Sequence, residues 1–89
     1  MRIKIDPDLD KTLKKLKKQN PQLSFRIQKQ LKNFATDPHH SSLRTHKLSG
    51  KQQNVWSISI TKSIRMTYFV EGDTAYFFKV GTHDEVYKK

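Results

Sequence analysis

The sequence predicts an α+β domain in which an αα-hairpin packs on an antiparallel-dominated sheet, in the chain order β-α-α-β-β-β. Three observations predict it. Residues 1–5 alternate apolar and basic side chains, residues 7–36 carry two apolar stripes at helical spacing, and residues 54–89 hold three strand-like runs joined by short polar links. At 89 residues the chain makes one domain, 1–89, able to bury about 60–70% of its surface around a single core.

The first strand rests on Met1, Ile3 and Ile5 alternating with Arg2 and Lys4. Asp6-Pro7 then starts a helix: the carboxylate accepts from a free amide of the first turn, and proline at the first helical position gives up an N–H that had no partner anyway. Leu9, Leu13 and Leu16 form the apolar stripe, while Lys11, Lys14, Lys15, Lys17 and Lys18 take the other faces and the last turn, where cations suit the helix dipole. Asn20-Pro21 repeats the same start for a second helix to about residue 36. Its stripe is Leu23, Ile27, Leu31 and Phe34, and Asp37-Pro38 stops it. Residues 37–53 show no periodicity, a long loop for so small a domain, with Leu43 and Leu48 placed to pin it to the body.

The runs 55–60, 64–70 and 74–80 read as a meander. Trp56, Ile58 and Ile60 share the face expected to meet the helices, so Ser57 and Ser59 are expected to meet solvent or ligand. Ile64, Met66, Tyr68 and Val70 alternate with Arg65, Thr67 and Phe69. In the last run both phases are apolar, which predicts a central strand covered on both sides over part of its length.

Lysine and arginine exceed aspartate and glutamate by ten charges, against 34% hydrophobic residues, and the basic residues gather in the first helix, the middle loop and the C-terminal tail. Such a field draws polyanions, and nucleic acid is the expected partner; an acidic protein fits the same charge. There is no cysteine, which removes disulfides and thiolate metal sites. No apolar stretch approaches the roughly 18 residues of a membrane span and residues 1–4 hold no signal-peptide core, so the expectation is a cytoplasmic protein without a membrane partner.

Cleaving RNA at a ribose requires removing the 2′-hydroxyl proton, stabilising charge on phosphorus and protonating the leaving 5′-oxygen. Imidazole titrates near neutrality and guanidinium forks onto phosphate oxygens, so His46, Arg65 and His83 could supply the set with no metal and no cofactor. Each has a plainer role open to it: a loop histidine is commonly a solvated or capping residue, and Arg65 could pair with Asp84 or Glu85. Tyr87 could stack on a base or pack on the core edge. Arg44, Lys47 and Lys51 are placed for backbone phosphates, while His39 and His40 read as surface residues and no metal-ligand spacing stands out.

His46-Lys47-Leu48-Ser49-Gly50 before the meander, and Val80-Gly81-Thr82-His83-Asp84-Glu85-Val86-Tyr87 at its end, together with the order of elements, resemble the RelE/ParE toxin superfamily over nearly the whole chain. The likeness is greatest to the YafQ-like RelE mRNA interferases. It implies an endoribonuclease that cuts mRNA in the ribosomal A site, beside 16S rRNA, without metal. It also implies a cognate antitoxin that holds the toxin in a hetero-oligomer. It further implies that His46 and His83 are acid/base residues, that Arg65 binds phosphate and that Tyr87 lies near the base. Where the YafQ branch carries a further histidine and an aspartate, this chain has Ser59 and Ser63. The departure permits a slow or even inactive enzyme, leaves the general base open between His46 and a neighbour, and keeps open two non-cleaving alternatives on the same fold: a ParE-like inhibitor of DNA gyrase and a nucleic-acid-binding domain.

Overall fold

In the computed structural model the described residues are 1–48 and 54–87, apart from the side chains of His83 and Tyr87. The elements run β1 (Arg2–Ile5), α1 (Pro7–Gln19), α2 (Pro21–Thr36), a 3-10 turn (Ser41–Leu43), β2 (His46–Lys47), β3 (Val55–Ser59), β4 (Ile64–Glu71), β5 (Thr74–Thr82) and α3 (His83–Tyr87). The five strands form one sheet in the order β1-β5-β4-β3-β2, antiparallel except that β1 joins β5 in parallel.

Local chemistry sets the helix ends as the sequence predicts. Asp6 Oδ2 accepts from the Asp8 N–H at 3.0 Å and Asn20 Oδ1 from the Leu23 N–H at 3.2 Å, each just before a proline at the first helical position. The hairpin lays Leu9, Ile27 and Phe34 on Ile58, Met66, Tyr68, Ala75 and Phe77 of the sheet, and these make the core. Phe34 is fully buried and meets Tyr68 and Phe77 edge-on, at ring-centre distances of 4.9 and 5.3 Å. Leu43 and Leu48 are buried, as their pinning role requires.

Three features differ from the sequence expectation. β2 and α3 are additional elements; α3 takes up residues 83–87, past the last of the three strand-like runs. The two apolar phases of the last strand come from a bulge. Tyr68 pairs with Phe77 but Thr67 pairs with Lys79, so Phe78 is the extra residue and the inward phase moves from Ala75 and Phe77 to Val80. β5 is central, between β1 and β4, yet its outward Phe78 is 37% exposed. Third, Ser57 is fully buried and does not meet solvent, because Arg65 lies against it.

Candidate active site

Arg65 alternates with Ile64 and Met66, which pack against the helix-side core, so it stands on the opposite, outer face of the sheet. It is nonetheless only 8% exposed. Its Nε–H donates to Ser57 Oγ at 2.8 Å, and Nη2 donates to the Arg44 carbonyl at 2.6 Å and the Ser57 carbonyl at 3.1 Å. The ion-pair alternative is therefore not what holds it: the acceptors are a hydroxyl and two carbonyls. Three N–H groups point inward, and Nη1 keeps two that have no partner among the described residues. A guanidinium fixed on one side and open on the other can fork onto an anion without reorganising.

The backbone of Arg44 is shaped for this contact. It closes the 3-10 turn with φ +44°, a left-handed conformation that costs a non-glycine residue about 1–2 kcal/mol and here turns its carbonyl onto Arg65. His40 caps the start of that turn, its Nδ1 accepting from the Ser42 N–H at 3.1 Å. Gln30 of α2 ties the turn to β3, its amide donating to the carbonyls of Ser42 and Ser59 at 3.1 and 2.8 Å. His39 and His40 are exposed, as expected.

Cross-strand register brings His46 to the same region. His46 lies opposite Ser57, which lies opposite Thr67, which lies opposite Lys79; in the next row Ser59, Arg65 and Gly81 face one another. Residues in one row share a face, so exposed His46 stands across from the serine that holds the Arg65 guanidinium. Lys47 falls on the other face, with its Nζ 5.7 Å from the centre of the Trp56 ring, so it is not brought to the Arg65 side. Trp56 faces inward and packs against the core. Arg44 presents an exposed side chain at the edge of the Arg65 contact. Lys51 lies outside the described residues, as do the side chains of His83 and Tyr87.

What is described of the last two is backbone, and the chain fixes it by a capping box. Thr82 Oγ1 accepts from the Glu85 N–H at 3.2 Å while Glu85 Oε1 accepts from the Thr82 N–H at 2.8 Å. Those bonds from Thr82, backbone first, with Lys79 adding its charge, hold the Glu85 carboxyl below the usual carboxylate range. Lys79 Nζ also donates to the Glu85 carbonyl at 3.0 Å. Gly81, opposite Arg65, leaves the room that α3 needs: a Cβ there would come within 3.2 Å of Glu85 Oε1 and 3.3 Å of its Cβ. So α3 folds back onto the outer face and buries Val86, placing His83 immediately after Thr82, the register partner of Ile64 next to Arg65. The Thr82-x-x-Glu85 spacing is the signal for α3 that the sequence holds and that a search for strand-like runs passes over.

Among the described residues no three His, Asp or Glu side chains gather as a metal site, and no helix is long and apolar enough to cross a membrane. A groove of about 1000 Å³ lies elsewhere, along α2 and the 3-10 turn, with Phe25, Arg26 and Lys29 on its wall.

The chain is 32% identical over 89 residues to RelE4 of Methanocaldococcus jannaschii, a toxin candidate by its name; the match spans 98% of this chain and 90% of that protein. The chain belongs to the RelE/ParE toxin superfamily. Solved structures of RelE/ParE type share its fold at lower identity. A YoeB/ParE toxin from Agrobacterium tumefaciens superposes with a TM-score of 0.79 at 18% identity, over 93% of this chain and 99% of that one. YafQ from E. coli strain BL21(DE3) gives 0.75 at 13%, over 98% and 99%. The YoeB-YefM complex from Staphylococcus aureus gives 0.77 at 18%, over 93% and 97%. No family model matches the sequence. Of the two serines singled out in the sequence, Ser59 stands directly opposite Arg65, while Ser63 is exposed in the connection between β3 and β4.

Proposed function

We propose that the protein is the toxin of a toxin–antitoxin pair and a metal-independent endoribonuclease that cuts mRNA on the ribosome, in the cytoplasm. The observation that carries this reading is the outer-face arrangement of Arg65: anchored by three inward hydrogen bonds, open at Nη1, and one register row from His46. In this mechanism His46, or a neighbour, takes the proton from the 2′-hydroxyl, whose oxygen attacks phosphorus. Arg65 forks onto the non-bridging oxygens as charge builds up. His83 gives a proton to the departing 5′-oxygen, and Tyr87 positions a base. The products are a 2′,3′-cyclic phosphate and a free 5′-hydroxyl. Arg44 and Lys51 hold flanking phosphates, with Lys47 contacting the backbone from the far side of the sheet edge.

A partner follows from the same reading. Solved relatives of this fold include a YoeB-YefM toxin–antitoxin complex and a DinJ-YafQ complex, and an excess of ten positive charges suits an acidic antitoxin. The deciding experiment adds purified protein to a translating extract and maps mRNA 5′ ends. Cuts that appear with the parent and vanish with His83→Ala and His46→Ala support the mechanism, whereas intact transcripts overturn it. The serine opposite Arg65 favours one further reading, a non-cleaving inhibitor of DNA gyrase, which predicts loss of supercoiling with uncut mRNA.

A further inference from the structure

The outer face carries a second feature that the cleavage mechanism does not use. One register row runs Lys4, Tyr76, Phe69, Val55 across β1, β5, β4 and β3. Phe69 and Tyr76 stack, with ring centres 5.1 Å apart and planes 13° from parallel. Phe78 leans on Phe69 at 5.9 Å, and the Lys4 ammonium sits 6.0 Å from the Tyr76 ring centre. None of the three rings belongs to the helix-side core or touches a helix-side aromatic ring among the described contacts. Phe69 and Tyr76 are partly buried and keep some surface on the outer face, and Phe78, 37% exposed, is put out on it by the bulge at the Thr67/Tyr68 step.

We propose that Phe69, Tyr76, Phe78 and Lys4 form a platform on which bases of a single RNA strand stack, a subsite for nucleotides flanking the cut. The inference rests on the nuclease reading for its link to cleavage. Phe69 lies four positions along β4 from Arg65, about 14 Å along the strand on the same face, a distance that a short run of single strand spans. Aromatic rings on an open sheet face, with a cation at the border, are the usual grip on unpaired bases and accept any base, since every base has a π-face. Charge sets the direction of the track. Beyond the aromatic row the outward residue of β4 is Glu71, and Arg2 there is engaged by Asp73 at 3.8 Å, so the strand runs from the rings toward Arg65 and not past the β4–β5 turn.

The test measures fluorescence anisotropy of a labelled single-stranded oligoribonucleotide, 2′-O-methylated throughout so that it cannot be cut. Phe78→Ala and Phe78→Leu should each weaken binding about 5- to 100-fold with an unchanged salt slope, and Phe78→Trp should restore it. Lys4→Ala should flatten the dependence of log affinity on log salt by about 0.7. Urea unfolding of each variant reports folding independently. Parent-like binding by both Phe78→Ala and Phe78→Leu overturns the platform. So does Phe78→Leu binding as well as Phe78→Trp, since that pattern fits an apolar protein partner. If mRNA is cut while these variants bind unchanged, the platform falls and the nuclease stands. If ring-dependent binding is seen without cutting, the platform stands and the nuclease falls.

Discussion

Replacing Arg65 by lysine keeps the charge and removes the geometry, so it separates two ways in which a cation could serve a phosphate. In the structure Nε–H and both Nη2 N–H groups are committed to Ser57 Oγ, the Ser57 carbonyl and the Arg44 carbonyl, and Nη1 alone remains to receive an anion. An ammonium has three N–H groups in all. Spent on the same inner acceptors, none is left for phosphate; turned outward, they leave buried acceptors unpaired at a cost of about 1–3 kcal/mol. Loss of a positioned donor to a developing oxyanion costs about 10²–10³ in rate, or 2.7–4 kcal/mol. Arg65→Lys should therefore cut mRNA about 10²–10³ more slowly, close to Arg65→Met, while urea unfolding shows only the smaller stability loss. The assay is the rate at which cut 5′ ends appear in a translating extract, with unfolding measured on the same preparations. A rate loss for Arg65→Lys below about tenfold, or 1.36 kcal/mol, would show that a point charge suffices and would refute the fork argument.

Four further outcomes follow from the contacts. Because Thr82 holds the Glu85 carboxyl below its ordinary pKa, the cap contributes stability above that ordinary value and loses it as pH falls through the lowered one; amide protection in α3, referred to the intrinsic exchange rate at each pH, should fall on acidification, and Glu85→Gln should abolish that pH dependence. Burial pushes the Tyr68 phenol up to about 12, so the folded state holds its proton more tightly than the unfolded one and stability should fall between about pH 10 and 12, a decline that Tyr68→Phe should lack in urea titrations. Arg44→Gly should hold or raise the urea midpoint, since relief of about 1–2 kcal/mol of left-handed strain outweighs about 0.4–1 kcal/mol of added unfolded-state entropy, whereas Arg44→Val should lower it. Phe34→Ala empties the contact between α2 and two sheet aromatics and should cost about 3–5 kcal/mol of unfolding free energy.

The regular elements were legible because their signals are local. Asp6-Pro7 and Asn20-Pro21 cap the helices where the sequence puts them, and the alternation of Ile64, Met66, Tyr68 and Val70 marks the inward side of β4. What was not legible depends on partners distant in sequence. His46 and Lys47 are a strand only because β3 lies beside them; two residues carry no period. Ser57 looks like a solvent-facing serine until Arg65 and the turn at Arg44 are laid over it. Phe78 looked like a second buried phase because a bulge, which has no composition signature here, shifts the alternation by one residue. For the site, residue types suggested Arg65 and His46 as a pair, but the reason they share a face is cross-strand register, which no single strand reveals. Lys47 shows the same limit from the other side: next to His46 in sequence, it faces the opposite way.

The parallel pairing of β1 with β5 joins residues roughly seventy positions apart, Arg2 with Thr74 through Ile5 with Phe77. Closing so long a loop costs about 4 kcal/mol of chain entropy beyond a constant, and nothing short of the last hairpin offers the N-terminal strand a seat. During synthesis the helices can form and pair early, while the layer bearing the guanidinium waits for the final stretch of polypeptide to emerge. A chain cut short before Thr74 would therefore be a pair of helices with an unclosed sheet, its Arg65 left without β5, Gly81 and α3 beside it.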